Sequence, residues 1–197
     1  MNRSDLVFKI FCLIAAGLSS NQAAAQTAPE AVWVTEARQV ASAVPPRLLA
    51  VLQEELERTG PEGAVAVCNE KAPQMARAAS EKSGWAIRRV SLRNRNPKAV
   101  PDAWEQAALQ DFDRRLAAQE PASKLEKSEL TQEGGQNVQR YIRALPTAKL
   151  CLECHGSAEQ ISPAVAARLK TLYPADQATG YSVGQLRGAI TLRKAVP

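Results

Sequence analysis

Cys151, Cys154 and His155, in the run Cys-Leu-Glu-Cys-His, are the residues whose types and spacing point most directly to chemistry. On one helical turn, positions i, i+3 and i+4 share a face. Two sulfurs can therefore bond the vinyl carbons of one covalent haem c while the imidazole of His155 reaches its iron from the same side. Two other chemistries use paired cysteines. Zinc would want a second ligand pair, and after export the chain offers only Cys68 and no second histidine. A disulfide oxidoreductase places Cys-x-x-Cys near a βαβ pattern, which is absent here. His155 is the only histidine, so an iron held by two imidazoles of this polypeptide is excluded. The soft candidates for the sixth ligand are Cys68 and Met75. The plainer roles are an inert buried thiol or an intermolecular disulfide for Cys68, and a core methionine for Met75.

The chain must carry these residues to a compartment where haem c is attached. Arg3 and Lys9 precede an apolar run, Ile10 to Leu18, and a polar stretch ending in small residues follows. That layout is a secretory signal peptide over residues 1–25, cleaved after Ala25, with a periplasmic destination. The apolar run falls short of the roughly 20 residues a spanning helix needs, so no membrane span is expected after cleavage. Cys12 leaves with the signal, and an odd set of three cysteines remains where thiols tend to oxidise. A length of 197 residues suits one domain, here 26–197. The formal charge of +5 arises from Lys and Arg interspersed with Asp and Glu, without a basic block, so nucleic acid is not an expected partner.

Helical patterns dominate the first half. Glu30 to Val44 suits a helix, Pro45 and Pro46 should break it, and Arg47 to Arg58 suits a second. A third begins near Pro61 and runs toward Gly84 as C-cap, with Val65, Cys68, Ala72, Met75, Ala76 and Ala79 as its inward stripe. Pro73 should kink it one residue past Cys68, because it cannot donate to the Asn69 carbonyl. Trp85 to Leu92 favours a strand, Arg93 to Pro101 a loop, and Pro101, Asp102 and Glu105 open an amphipathic helix. Two strands flank Gly134 and Gly135 as a hairpin, a helix is expected over Pro163 to Leu172, and a last strand alternates from Leu186 to Arg193. Helices first and strands later make an α+β class.

Four ordered segments carry a family resemblance: Ala64 to Ala76 (AVAVCNEKAPQMA), Ser91 to Glu105 (SLRNRNPKAVPDAWE), Ala144 to Gly156 (ALPTAKLCLECHG) and Tyr173 to Ile190 (YPADQATGYSVGQLRGAI). In these the chain resembles the PAS-like c-type cytochromes, which occur as stand-alone periplasmic proteins and as extracytoplasmic sensing modules. The resemblance implies a PAS-like antiparallel sheet flanked by N-terminal helices, with haem c attached in the C-terminal part. It also implies that Cys68 is the distal iron ligand opposite His155. Ala99 departs from the pattern, standing where the family is expected to carry Asn in the loop. Arg93, Arg95 and Asn96 have two readings, as solvated turn residues or as partners of haem propionates, because Arg pairs bidentately with carboxylates. Asp176, Gly180 and Gly188 are expected to shape turns and close packing.

The functional expectation is a periplasmic c-type cytochrome with one covalent haem, acting in electron transfer or in redox or small-ligand sensing. Its partner would be a redox protein or a separately encoded membrane sensor. The alternative is a haem enzyme reducing a small substrate at a labile distal site, which would need acid–base groups that a chain without a distal histidine supplies poorly. Non-enzymatic function is therefore the preferred expectation.

Overall fold

The structure is a computed structural model that describes residues 30–197, so the expected signal peptide lies outside the described residues. Helix α1 (Val32–Ala66) leads into a π-helical segment (Val67–Lys71) and helix α2 (Ala72–Ser83). Strand β1 (Ala86–Val90), helix α3 (Ala103–Ala117), strands β2 (Glu126–Glu133) and β3 (Gln136–Pro146), short helix α4 (Leu152–His155), helix α5 (Pro163–Leu172) and strand β4 (Leu186–Val196) follow. The four strands form one antiparallel sheet in the order β1-β4-β3-β2, giving an α+β architecture with helices at the N-terminus. Among the described residues, no helix is long and apolar enough to cross a membrane.

Pro45 and Pro46 do not end the first helix as expected; α1 runs through both. Proline's fixed φ is compatible with a helix, and its cost is a missing donor and crowding. That cost is offset because Val34, Ala37 and Ala41, just ahead of the prolines, are buried against the sheet. The helical path breaks instead at Gly60, with φ 71° and ψ 179°, immediately before Pro61.

Pro73 acts as expected in place but not in form. The helix widens into the π segment, in which the Ala72 N–H bonds to the Val67 carbonyl, five residues back. Such a slip of the ladder accommodates a proline that brings no donor. It does so at Cys68.

Each face of the sheet has its own core. Leu109 and Phe112 of α3 pack with Val90, Ile142, Ala144 and Ala189 on one side. Val34, Ala37 and Ala41 of α1 pack with Trp85, Ile87, Tyr141, Ile190 and Leu192 on the other. Each of the large fully buried side chains contributes about 1.5–3 kcal/mol by leaving water. Helix α3 opens on a capping box, with Asp102 accepting from the Glu105 N–H and Glu105 accepting from the Asp102 N–H, both at 2.9 Å. Glu105 is 2% exposed and paired with Arg88 and Arg140, which ties α3 to β1 and β3.

The α1 side carries a second tie, with a pH consequence. Burial alone would push Glu126 up, but hydrogen bonds from Arg38 at 2.9 Å and Tyr141 at 2.5 Å outweigh it and hold the carboxyl below its usual range. A carboxyl lowered in the folded state stabilises the fold above its unfolded pKa, about 4.3, and loses that contribution as pH falls through the folded value. Glu126→Gln should therefore flatten the acid limb of a stability–pH profile recorded by denaturant titration. An acid limb as steep as that of wild type would refute the assignment.

Candidate functional site

The Cys-x-x-Cys-His run forms one compact turn, Lys149–Cys151 in 3₁₀ geometry followed by α4. Three contacts clamp it, two from the segment around Ala178 and one from Arg95. The Tyr181 N–H donates to the His155 carbonyl at 2.9 Å, the Gly180 N–H to the Gly156 carbonyl at 2.6 Å, and Arg95 to the Cys154 carbonyl at 2.6 Å. His155 is 9% exposed, and its Nδ1 lies 2.6 Å from the Ala178 carbonyl. A carbonyl only accepts, so Nδ1 carries the proton and Nε2 keeps its lone pair for a metal. Burial, reinforced by the charges of Arg187 and Arg95, pushes the imidazole down to about 2. The ring is therefore neutral at any ordinary pH, as a ligand must be.

Cys68, in the π segment, lies near enough to act on the Cys154 thiol of this turn. Tyr173, following α5, fixes that segment by donating to Asn69 at 3.1 Å. Val65, just before it, packs with Ile161, Val165, Leu169 and Tyr173, and Cys154 rests against the same cluster. The expected inward stripe is half-buried at Cys68, Ala72, Met75, Ala76 and Ala79, while Pro73, Gln74, Arg77 and Ala78 between them are exposed. Burial pushes the Cys68 thiol up, and Arg89 is the strongest charge opposing that rise. Burial and the neighbouring Cys68 push Cys154 up to about 11.

Cys68, Cys151 and Cys154 are free thiols, and no group of three or more His, Cys, Asp or Glu could hold a bare metal ion among the described residues. The donors the site offers are the Nε2 of His155 and the thiols of Cys68, Cys151 and Cys154.

Arg93 is exposed and Arg95 buried, so the solvated-turn reading fits Arg93 and not Arg95. Arg95, 8% exposed, pairs with Asp176 at 2.9 Å and also reaches the Cys154 and Ala178 carbonyls. Asp176 in turn accepts from the Ala178 N–H at 2.8 Å, so the pair shapes the loop that presents the carbonyl to His155. Breaking a buried pair of this kind leaves one charge uncompensated, at a cost of about 3–5 kcal/mol. Arg93 donates to the carbonyls of Gln177 and Thr179 and stacks over Tyr181 at 4.3 Å. Both arginines position the site through backbone carbonyls, and Asp176 shapes a turn as expected.

Two arginines that sequence reasoning passed over stand closer to an unmet need. On β3, Leu145 pairs with Gly188 and Pro146 with Leu186, so Arg187 is an extra residue in a bulge. The bulge turns it toward Tyr181, with its guanidinium 5.2 Å from the ring centroid, and Tyr181 meets His155 edge-on at 6.3 Å. Arg187 is 5% exposed, and its Nε has no hydrogen-bond partner. An orphaned buried donor costs about 1–3 kcal/mol. The side chain of Arg89, on β1, has no hydrogen-bond partner among the described residues. Water reaches its side chain, yet enough protein surrounds it that desolvation pushes the guanidinium down. A bulge has no signature in a single sequence, and an alternating strand conceals which arginine faces the site.

The model of the Tll0287-like family matches residues 17–194, nearly the whole sequence. The chain belongs to the Tll0287-like family. A solved structure with the same fold, titled as the crystal structure of the cyanobacterial heme-protein Tll0287, is 24% identical with a TM-score of 0.60. The match covers 84% of this chain and 92% of that one. No curated protein matches the sequence. The Tll0287-like match includes all the residues of the candidate site, from Cys68 to Arg187.

Proposed function

We propose that this protein is an exported c-type cytochrome of PAS-like kind, holding one covalent haem c through Cys151 and Cys154, with His155 and Cys68 as iron ligands. The observation that carries the reading is the 2.6 Å contact between His155 Nδ1 and the Ala178 carbonyl, which leaves Nε2 free beside two unpaired thiols. The orphaned Arg187 Nε supports it, since a buried donor suits a group with acceptors. That the solved Tll0287 is a heme-protein is consistent with it.

Bound haem supplies one reversible electron through its ferric and ferrous states. The chain's own residues do the rest. The Arg95–Asp176 pair fixes the loop bearing Ala178, that carbonyl fixes the imidazole, and Pro73 fixes the π segment carrying Cys68. The work proposed is electron transfer, or redox or small-ligand sensing, in the periplasm, with a redox protein or separate membrane sensor as partner.

The test is haem attachment. Matured in a host that attaches haem c, the chain should keep its colour through denaturing electrophoresis and acid-acetone extraction, with one haem per chain. Cys151→Ala combined with Cys154→Ala should release it. Colourless or extractable wild-type protein overturns the reading.

A further inference from the structure

The structure assigns Arg187 and Arg89 as the carboxylate-binding pair of the candidate site, holding the propionates of the porphyrin whose iron His155 would ligate. This rests on the haem reading above and adds residues to it. Arg187 is nine-tenths buried, and one terminal nitrogen is engaged with Ser91 Oγ at 3.3 Å and the Arg93 carbonyl at 3.5 Å, both long contacts. Its Nε is left without any partner. No carboxylate of the protein pairs with Arg187 or Arg89 among the described residues, whereas Arg95 beside them has Asp176.

Both arginines belong to the same seam of the sheet. β1 pairs with β4 from Ala86↔Arg193 to Val90↔Ala189, which places Arg89 opposite Ile190 and close to the bulge at Arg187. Arg89 shares its face with Ile87, the α1 side from which the π segment descends. Burial, and then the charge of Arg89, lower the proton affinity of Arg187, so an anion beside the pair would offset both. Arginine's planar fork matches a carboxylate bidentately, and a porphyrin brings two.

Resonance Raman spectroscopy of the matured holoprotein tests the assignment, because the propionate bending band responds to hydrogen bonding at the carboxylates. Arg89→Gln and Arg187→Gln should each shift that band while the haem stays covalently bound. Arg114→Gln, at a solvent-facing position on α3, should leave it in place. Should Arg187→Gln fail to fold, Arg187→Lys and the solvent-reachable Arg89→Gln decide the matter. An unmoved band in the folded Arg89 and Arg187 variants overturns the assignment. So does a saturable spectral response of wild type to added acetate that Arg89→Gln abolishes, since the pair would then serve a free carboxylate. A wild-type protein without covalent haem fails the parent reading instead, and removes this one with it.

Discussion

Cys68→Ala should convert the ferric haem from a thiolate-ligated spectrum to one with a vacant or water-filled sixth position, and raise the reduction potential. A thiolate donates charge to iron and favours the ferric state, so its loss moves the potential upward by a sizeable part of the roughly 0.8 V that axial ligands span. The protein environment prepares the sulfur for this. Burial disfavours a free thiolate at Cys68, with Arg89 the strongest opposing charge, so the anion gains most when it bonds a ferric iron. Optical and paramagnetic resonance spectra in both oxidation states, with a potentiometric titration, give the answer. Unchanged spectra and an unchanged potential would remove Cys68 from the iron. Met75→Leu would then be the variant to examine, because Met75 lies half-buried on the same inward stripe.

Gly188→Ala should destabilise the fold by about 3–5 kcal/mol, combining a disallowed backbone with a clash that cannot relax. The residue has φ 143°, and a Cβ there would stand 2.3 Å from the Val90 carbonyl oxygen and 3.1 Å from Ser91 Cβ. The obstacle is backbone of the neighbouring strand, so relief requires β1 and β4 to separate. A loss of this size is a large fraction of the 5–15 kcal/mol that holds a domain together. The damage would extend to the site, since this seam carries Arg89 and the Arg187 bulge. Gly135→Ala is the matched control, with φ 81° but nothing within 4 Å, and should cost only about 1 kcal/mol. Urea titrations of the three proteins check both values, and equal losses in the two variants would refute the seam argument.

These two outcomes differ in how visible they were beforehand. Cys68 stood out as the cysteine outside the Cys-x-x-Cys pair in a chain with a single histidine. Gly188 read only as a close-packing residue, because the carbonyl it must admit belongs to a strand almost a hundred residues earlier in the chain.

Local chemistry was legible in the amino-acid sequence wherever its cause was local. The Cys-x-x-Cys-His turn, the helix at Pro163–Leu172, the Gly134–Gly135 hairpin and the opening of α3 at Asp102 each depend on residues within about one turn of one another. Tertiary structure decided what contacts between distant segments decide. Packing against the sheet carried α1 through two prolines, a bulge on β4 brought Arg187 to the site, and Arg95 met Asp176 across 81 residues. The proton on His155 was settled the same way, by a carbonyl 23 residues away. Periodicity and capping are written into neighbouring side chains, whereas the partner of a buried charge or ring nitrogen exists only once separate segments have been brought together.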